Sequence, residues 1–123
     1  MAKPVIVTID DQSFICEIIK HDLGNDYDVK TFTSGNDAIK FWNESHVDLI
    51  LLDYEMPEIT GYGVLMAIRS KKQTMDIPVI FLTGVTNKRL EEEMLERGAN
   101  AFTNKPINFT VLRQLIQKHL TGK

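Results

Sequence analysis

Five short apolar runs punctuate the chain, and each is followed by a longer segment whose apolar residues return at helical spacing. The runs Val5 to Asp10, Asp28 to Phe32, Leu49 to Asp53, Val79 to Thr83 and Ala101 to Asn104 read as strands. Leu49-Ile50-Leu51-Leu52 is too uniformly apolar for an exposed edge, which predicts a central third strand. Helices are predicted from about Ser13 to Leu23, Gly35 to Glu44, Gly61 to Ser70, Lys88 to Arg97 and Phe109 to Leu120. Strict strand and helix alternation is the pattern of an α/β domain, a parallel sheet covered by helices through right-handed crossovers. The punctuation agrees: Gly24-Asn25 ends the first helix, Ser34 or a neighbour caps the second, and Arg97-Gly98 stops the fourth. The pattern contains no internal repeat and no low-complexity tract.

Composition narrows the class. At 123 residues, 43% hydrophobic and 25% charged, the chain reads as one soluble domain that builds its core without disulfides. Its 14 Lys+Arg against 17 Asp+Glu leave a net charge of −3, so it lacks the positive field that nonspecific nucleic-acid binding uses, and no direct nucleic-acid partner is expected. The lone Cys16 reads as a small core residue and favours a reducing compartment. After Met1-Ala2-Lys3-Pro4 the first apolar run is too short for a signal-peptide core or a membrane span, so a cytoplasmic protein with no membrane partner is expected.

In an open parallel sheet, ligands bind where strand order reverses, outside the carboxyl ends of the strands. The residues predicted there are Asp10-Asp11, Asp53, Thr83-Gly84 and Lys105-Pro106. Three carboxylates at one edge repel, and a hard cation that keeps waters and binds phosphate oxygens, Mg²⁺, is the simplest neutralising partner. Thr83 offers a hydroxyl and Lys105 a fixed positive charge to a phosphoryl group, while Asp53, closing a buried strand, is the natural nucleophile. Singly, each feature has a plainer reading: Asp11 or Ser13 as a helix cap, and Thr-Gly and Lys-Pro as turn punctuation. Their coincidence on one rim favours chemistry.

The segments Ile9-Asp10-Asp11, Asp53-Tyr54-Glu55-Met56-Pro57 with Gly61, Phe81-Leu82-Thr83-Gly84, and Gly98-Ala99 through Phe102 to Lys105-Pro106 together resemble the response-regulator receiver domain of two-component signalling. The resemblance covers the whole chain, residues 1–123, as one receiver domain without an output domain, and implies a doubly wound five-stranded sheet of flavodoxin-like order 2-1-3-4-5 with five helices. It implies phosphorylation of Asp53 from a phosphohistidine, and Mg²⁺ held by Asp10, Asp11, Asp53 and the backbone carbonyl of Glu55. Thr83 and Phe102 fall at the switch positions, Lys105 at the phosphate-binding lysine, and the Lys105-Pro106 bond is implied to be cis. The implied partners are a sensor histidine kinase or histidine phosphotransfer protein, and a downstream protein or effector domain, or a second copy, on the face of helix four, strand five and helix five. Such a chain is not an enzyme but assists its own phosphorylation and dephosphorylation. Phe102 replaces the commoner Tyr, and Thr60 stands where Asp or Asn is usual.

Other signals read as structure. His21, His46 and His119 lack metal-ligand spacing, and Trp42 with Phe41, Ile39 and Ala38 reads as helix-to-sheet packing. Glu91-Glu92-Glu93 with Glu96 reads as a solvated face, since Lys88-Glu92 and Glu93-Arg97 fall at i,i+4 spacing. The alternatives are an interaction module of this fold that works without phosphorylation, and a small aspartate-nucleophile phosphatase. The phosphatase usually has a second Asp where this chain has Glu55. A flavodoxin-like electron carrier needs a phosphate-cradling loop where Asp10-Asp11-Gln12 stands.

Overall fold

The computed structural model describes residues 2–84 and 87–121. In chain order the elements are β1 Val5–Ile9, α1 Ser13–Leu23, β2 Asp28–Phe32, α2 Gly35–Glu44, β3 Leu49–Asp53, α3 Gly61–Arg69, β4 Val79–Thr83, α4 Lys88–Glu96, β5 Ala101–Asn104 and α5 Phe109–Thr121. All strand pairs are parallel, in the order β2-β1-β3-β4-β5. The flavodoxin-like α/β architecture expected of the sequence is the one observed.

The alternation of side chains along a strand sorts the core into two layers. In β3, Leu49 and Leu51 pack on one face with Ile19 and Leu23 of α1 and Leu112 and Ile116 of α5. Ile50 and Leu52 pack on the other, with Ala38 and Trp42 of α2 and Val64, Leu65 and Ile68 of α3. Every β3 and β4 residue is buried, whereas β2 and β5, at the edges, are only partly so. Full burial of one such aliphatic side chain contributes about 1.5–3 kcal/mol, so truncating central Leu51 removes more than truncating any residue of β2.

Capping follows side-chain chemistry. Ser34, Thr60 and Asn87 accept hydrogen bonds from the first-turn amides of α2, α3 and α4. Gly98, just past α4, has a φ of 116°, a left-handed conformation that glycine alone adopts freely. Small differences from the sequence reading occur at element ends. β1 stops at Ile9 rather than Asp10, although the Asp10 amide still donates to the Phe32 carbonyl at 3.0 Å. Helices α3 and α4 end one residue early because Ser70 and Arg97 take the cap positions, and α5 runs on to Thr121. The Glu93–Arg97 pair forms at 3.5 Å. Among the described residues, no helix is long and apolar enough to cross a membrane.

Candidate metal and phosphoacceptor site

Strand register alone assembles the site. Ile9 of β1 lies opposite Leu52 of β3, so the next residues, Asp10 and Asp53, leave the sheet together where the chain's winding reverses direction. Thr83 lies opposite Asn104, which brings Lys105 to the same rim. One carboxylate oxygen from each of Asp10, Asp11 and Asp53 falls within 4.8 Å of the others. Asp10 and Asp53 are buried at 1% and 4% exposure, while Asp11 is exposed.

Few groups offset this negative charge. The Gln12 amide donates to Asp10 Oδ1 at 3.0 Å, and the Glu55 amide donates to Asp53 Oδ1 at 3.3 Å. Lys105 Nζ sits 2.7 Å from Asp10 Oδ2 and 3.5 Å from Asp53 Oδ1. Burial, and then the neighbouring Asp10 charge, push the Asp53 carboxyl up to about 6, against the opposing pull of Lys105. Burial draws Lys105 down, but its hydrogen bond to Asp10 and the charges of Asp53 and Asp10 outweigh it, so its affinity for the proton is raised. Three carboxylates face one ammonium, and a carboxylate already resists ionising there. An all-oxygen set with uncompensated charge fits Mg²⁺.

The anticipated residues Asp10, Asp11, Asp53 and Lys105 therefore converge. Thr83 ends β4 on the same rim and is fully buried, and the Glu55 backbone lies in the loop directly after Asp53. Phe102 sits deeper, opposite Phe81 in register, with ring centroids 5.4 Å apart; Phe81 in turn meets Tyr54 at 6.0 Å. The Lys105-Pro106 bond is cis. The plainer alternative of Asp11 or Ser13 as a helix cap is not what the structure has: Gln12 holds the N-cap position of α1 without a side-chain bond, Ser13 is already helical, and Asp11 belongs to the carboxylate cluster.

Two residues named in the sequence turn out to support the site directly. Cys16 Sγ points its weak donor at the Asp10 carbonyl at 3.5 Å, and burial followed by the Asp10 charge pushes its thiol up to about 11. It is the buried core residue the sequence reading expected, placed beneath the acidic pair, which no local pattern marked. Gly61 is the second. A Cβ there would lie 2.6 Å from the Asp53 carbonyl oxygen and 2.7 Å from Tyr54 Cα, so the loop after Asp53 closes on its strand only without a side chain. Its place in the Asp53-to-Gly61 run was the available signal.

Together, fold and site define a doubly wound α/β domain with an oxygen-donor cluster at its switch point. The chain belongs to the response regulator receiver domain family, whose model matches residues 6–117. It is 33% identical over 123 residues to a probable cyclic di-GMP phosphodiesterase of Vibrio cholerae serotype O1, covering 100% of this chain and 28% of that protein. Over 116 residues it is 33% identical to the sensor histidine kinase RcsC of Escherichia coli K12, covering 91% of this chain and 12% of RcsC. The chain thus spans only a minor part of these curated relatives. Among solved structures, the chemotaxis protein CheY4 of Vibrio cholerae superposes with a TM-score of 0.89 at 28% identity, covering 95% of this chain and 98% of that one. The receiver domain of the Pseudomonas aeruginosa sensor histidine kinase PA1611, with a magnesium ion coordinated in its active-site cleft, superposes with a TM-score of 0.83 at 25% identity, covering 98% and 99%.

Proposed function

We propose that this receiver domain is a Mg²⁺-dependent phosphoacceptor switch that takes a phosphoryl group from a phosphohistidine onto Asp53. The observation that carries the reading is the convergence of Asp10, Asp11, Asp53 and Lys105 on one rim. Asp10, Asp11, Asp53 and the Glu55 carbonyl would hold Mg²⁺, which would supply positive charge to phosphate oxygens that otherwise repel the nucleophile. An Asp53 carboxylate oxygen attacks phosphorus; the O–P bond forms as the N–P bond breaks, and the imidazole leaves. Lys105 offers its ammonium to one phosphoryl oxygen and Thr83 its hydroxyl to another. The same groups assist hydrolysis of the acyl phosphate, so the chain catalyses only its own modification.

Drawing Thr83 toward the phosphoryl group opens space for the Phe102 ring beside Phe81, and the face of α4, β5 and α5 changes shape. A downstream protein, an effector domain or a second copy reads that face. Two states a few kcal/mol apart suffice for such a shift in population. The donors are a sensor histidine kinase or a histidine phosphotransfer protein of the same cytoplasm.

Intact-mass spectrometry with a small acyl-phosphate donor tests the chemistry. The expected result is one phosphoryl adduct that chelator suppresses and that Asp53→Ala lacks. An adduct that persists in Asp53→Ala, or that forms equally well without divalent metal, refutes the assignment.

A further inference from the structure

The loop between Asp53 and α3 carries the Glu55 carbonyl, and its two ends are tied where the Gly61 amide donates to the Tyr54 carbonyl at 2.9 Å. Between those ends the loop is held by side chains. Ile59 is half-buried and packs against the core layer that contains Met56 and Val64. Its two γ branches meet two glycines. A Cβ on Gly35, at the start of α2, would lie 2.6 Å from Ile59 Cγ2 and 2.8 Å from Val64 Cγ2. A Cβ on Gly63, in the first turn of α3, would lie 2.9 Å from Ile59 Cγ1.

Each branch of Ile59 thus fills the space that any side chain on the facing helix would need. Gly63 is the more telling of the two, because glycine is a poorer helix former than every residue but proline and gains nothing for α3 itself. A side chain branched at Cβ has few χ1 options, so seating both of its branches fixes the direction of its Cα–Cβ bond. The loop backbone at Ile59 is thereby fixed with it.

From this geometry we infer that Ile59 is a positioning residue for the metal site: its forked side chain, seated between Gly35 and Gly63, sets the loop that carries both the Glu55 carbonyl and the Glu55 amide, which donates to Asp53 Oδ1 at 3.3 Å. This role rests on the reading of Asp10, Asp11, Asp53 and the Glu55 carbonyl as the Mg²⁺ site, and Ile59 serves it only through the backbone. The feature that matters is the branch at Cβ, not bulk. Valine keeps both γ carbons and loses one methyl, whereas leucine keeps the whole volume and moves the branch one carbon outward.

The test compares the full chain with Ile59→Val, Ile59→Leu and Gly63→Ala, each shown by cooperative urea unfolding to be folded. Mg²⁺ is titrated into each and followed by the amide NMR peaks around Asp53. Ile59→Leu should weaken Mg²⁺ binding about tenfold and Ile59→Val by less than about twofold. Gly63→Ala, which pushes on the same fork from the helix side, should also weaken it, but should add nothing on an Ile59→Ala background, where the branches are gone. In chelator, with no metal present, the Glu55 amide peak should move in Ile59→Leu and Gly63→Ala and stay in place in Ile59→Val. Valine weakening the site as much as leucine overturns the role given to the fork, as does a Glu55 peak that stays in place in Ile59→Leu and Gly63→Ala. A wild type that never saturates with Mg²⁺ refutes the phosphoacceptor reading instead, and the Glu55 peak in chelator then decides the fork.

Discussion

At the carboxyl edge of the sheet Lys105 stands among three carboxylates, whereas at the amino edge Arg69 stands among neutral oxygens. Arg69 donates through Nε and Nη2 to the Gly98 carbonyl, through Nη1 to the Met75 and Ile77 carbonyls, and through Nη2 to Asn100 Oδ1, all at 2.7–3.1 Å. Burial lowers its proton affinity, partly offset by the Asp76 charge, but every direction of the planar guanidinium finds an acceptor. The result is a closed clamp that ties the end of α3 to the loops before β4 and β5. Around Lys105 the arrangement is left open: Asp53 is buried, faces a like charge, and is pushed up to about 6. The Arg69 clamp is complete in itself, whereas the carboxyl edge gathers three carboxylates against one ammonium.

Breaking the clamp should have the largest effect on folding. Arg69→Ala removes five hydrogen bonds to the Gly98, Met75 and Ile77 carbonyls and Asn100, mostly part-buried, and should destabilise the domain by about 3 kcal/mol, read as a lower urea midpoint. Metal affinity, set at the other edge, should not change.

Neutralising the open edge should do the opposite. In chelator at pH 7.5, Asp53→Asn should be more stable than the wild type by on the order of 2 kcal/mol, because it removes a carboxylate whose ionisation folding disfavours. The raised carboxyl makes this gain pH-dependent. Above about 6 both folded and unfolded wild type are ionised at this position and the penalty is complete. Between about 6 and 3.8 the folded state keeps its proton while the unfolded state loses it, so the penalty shrinks as pH falls and vanishes below 3.8. Chemical denaturation of both proteins across that range should show the two stabilities converging.

Smaller effects should mark the supports of each edge. Gly98→Ala must adopt a φ of 116° and brings a methyl within 3.1 Å of Arg69 Nε, and should cost about 1–2 kcal/mol. Thr60→Ala removes the oxygen that accepts from the Gly63 amide at 3.1 Å beside the phosphoacceptor loop, and should cost about 1 kcal/mol with little change in phosphorylation rate.

The same contrast explains what was legible in the sequence. The carboxyl edge is built from residues that end a strand or directly follow one, so hydrophobic periodicity alone locates Asp10, Asp53, Thr83 and Lys105. The core layers were readable for the same reason, since Leu49 to Leu52 can only be central. The Arg69 clamp was not readable. Four of its five hydrogen bonds go to backbone carbonyls, up to 29 residues away in the chain, and a carbonyl carries no sequence signature. Cys16 beneath Asp10 and the contact of Arg97 with Tyr62, where Nη1 donates to the hydroxyl at 3.0 Å, are likewise products of tertiary packing. At α1 the plainer alternative of a cap at Asp11 or Ser13 is not the one observed, for a local reason: Asp10 Oδ1 accepts from the Gln12 amide, and Gln12 holds the cap position.

The central claim is that the carboxyl edge is electrostatically incomplete and that a divalent cation completes it. Equilibrium unfolding of the wild type at pH 7.5, in chelator and again in millimolar Mg²⁺, measures this directly. The account predicts that Mg²⁺ raises the unfolding free energy of the wild type, that the gain grows with metal concentration, and that Asp53→Asn and Asp11→Ala lose most of it. Superimposable wild-type curves with and without Mg²⁺ would contradict the account, because the three carboxylates would then hold their charge without a cation.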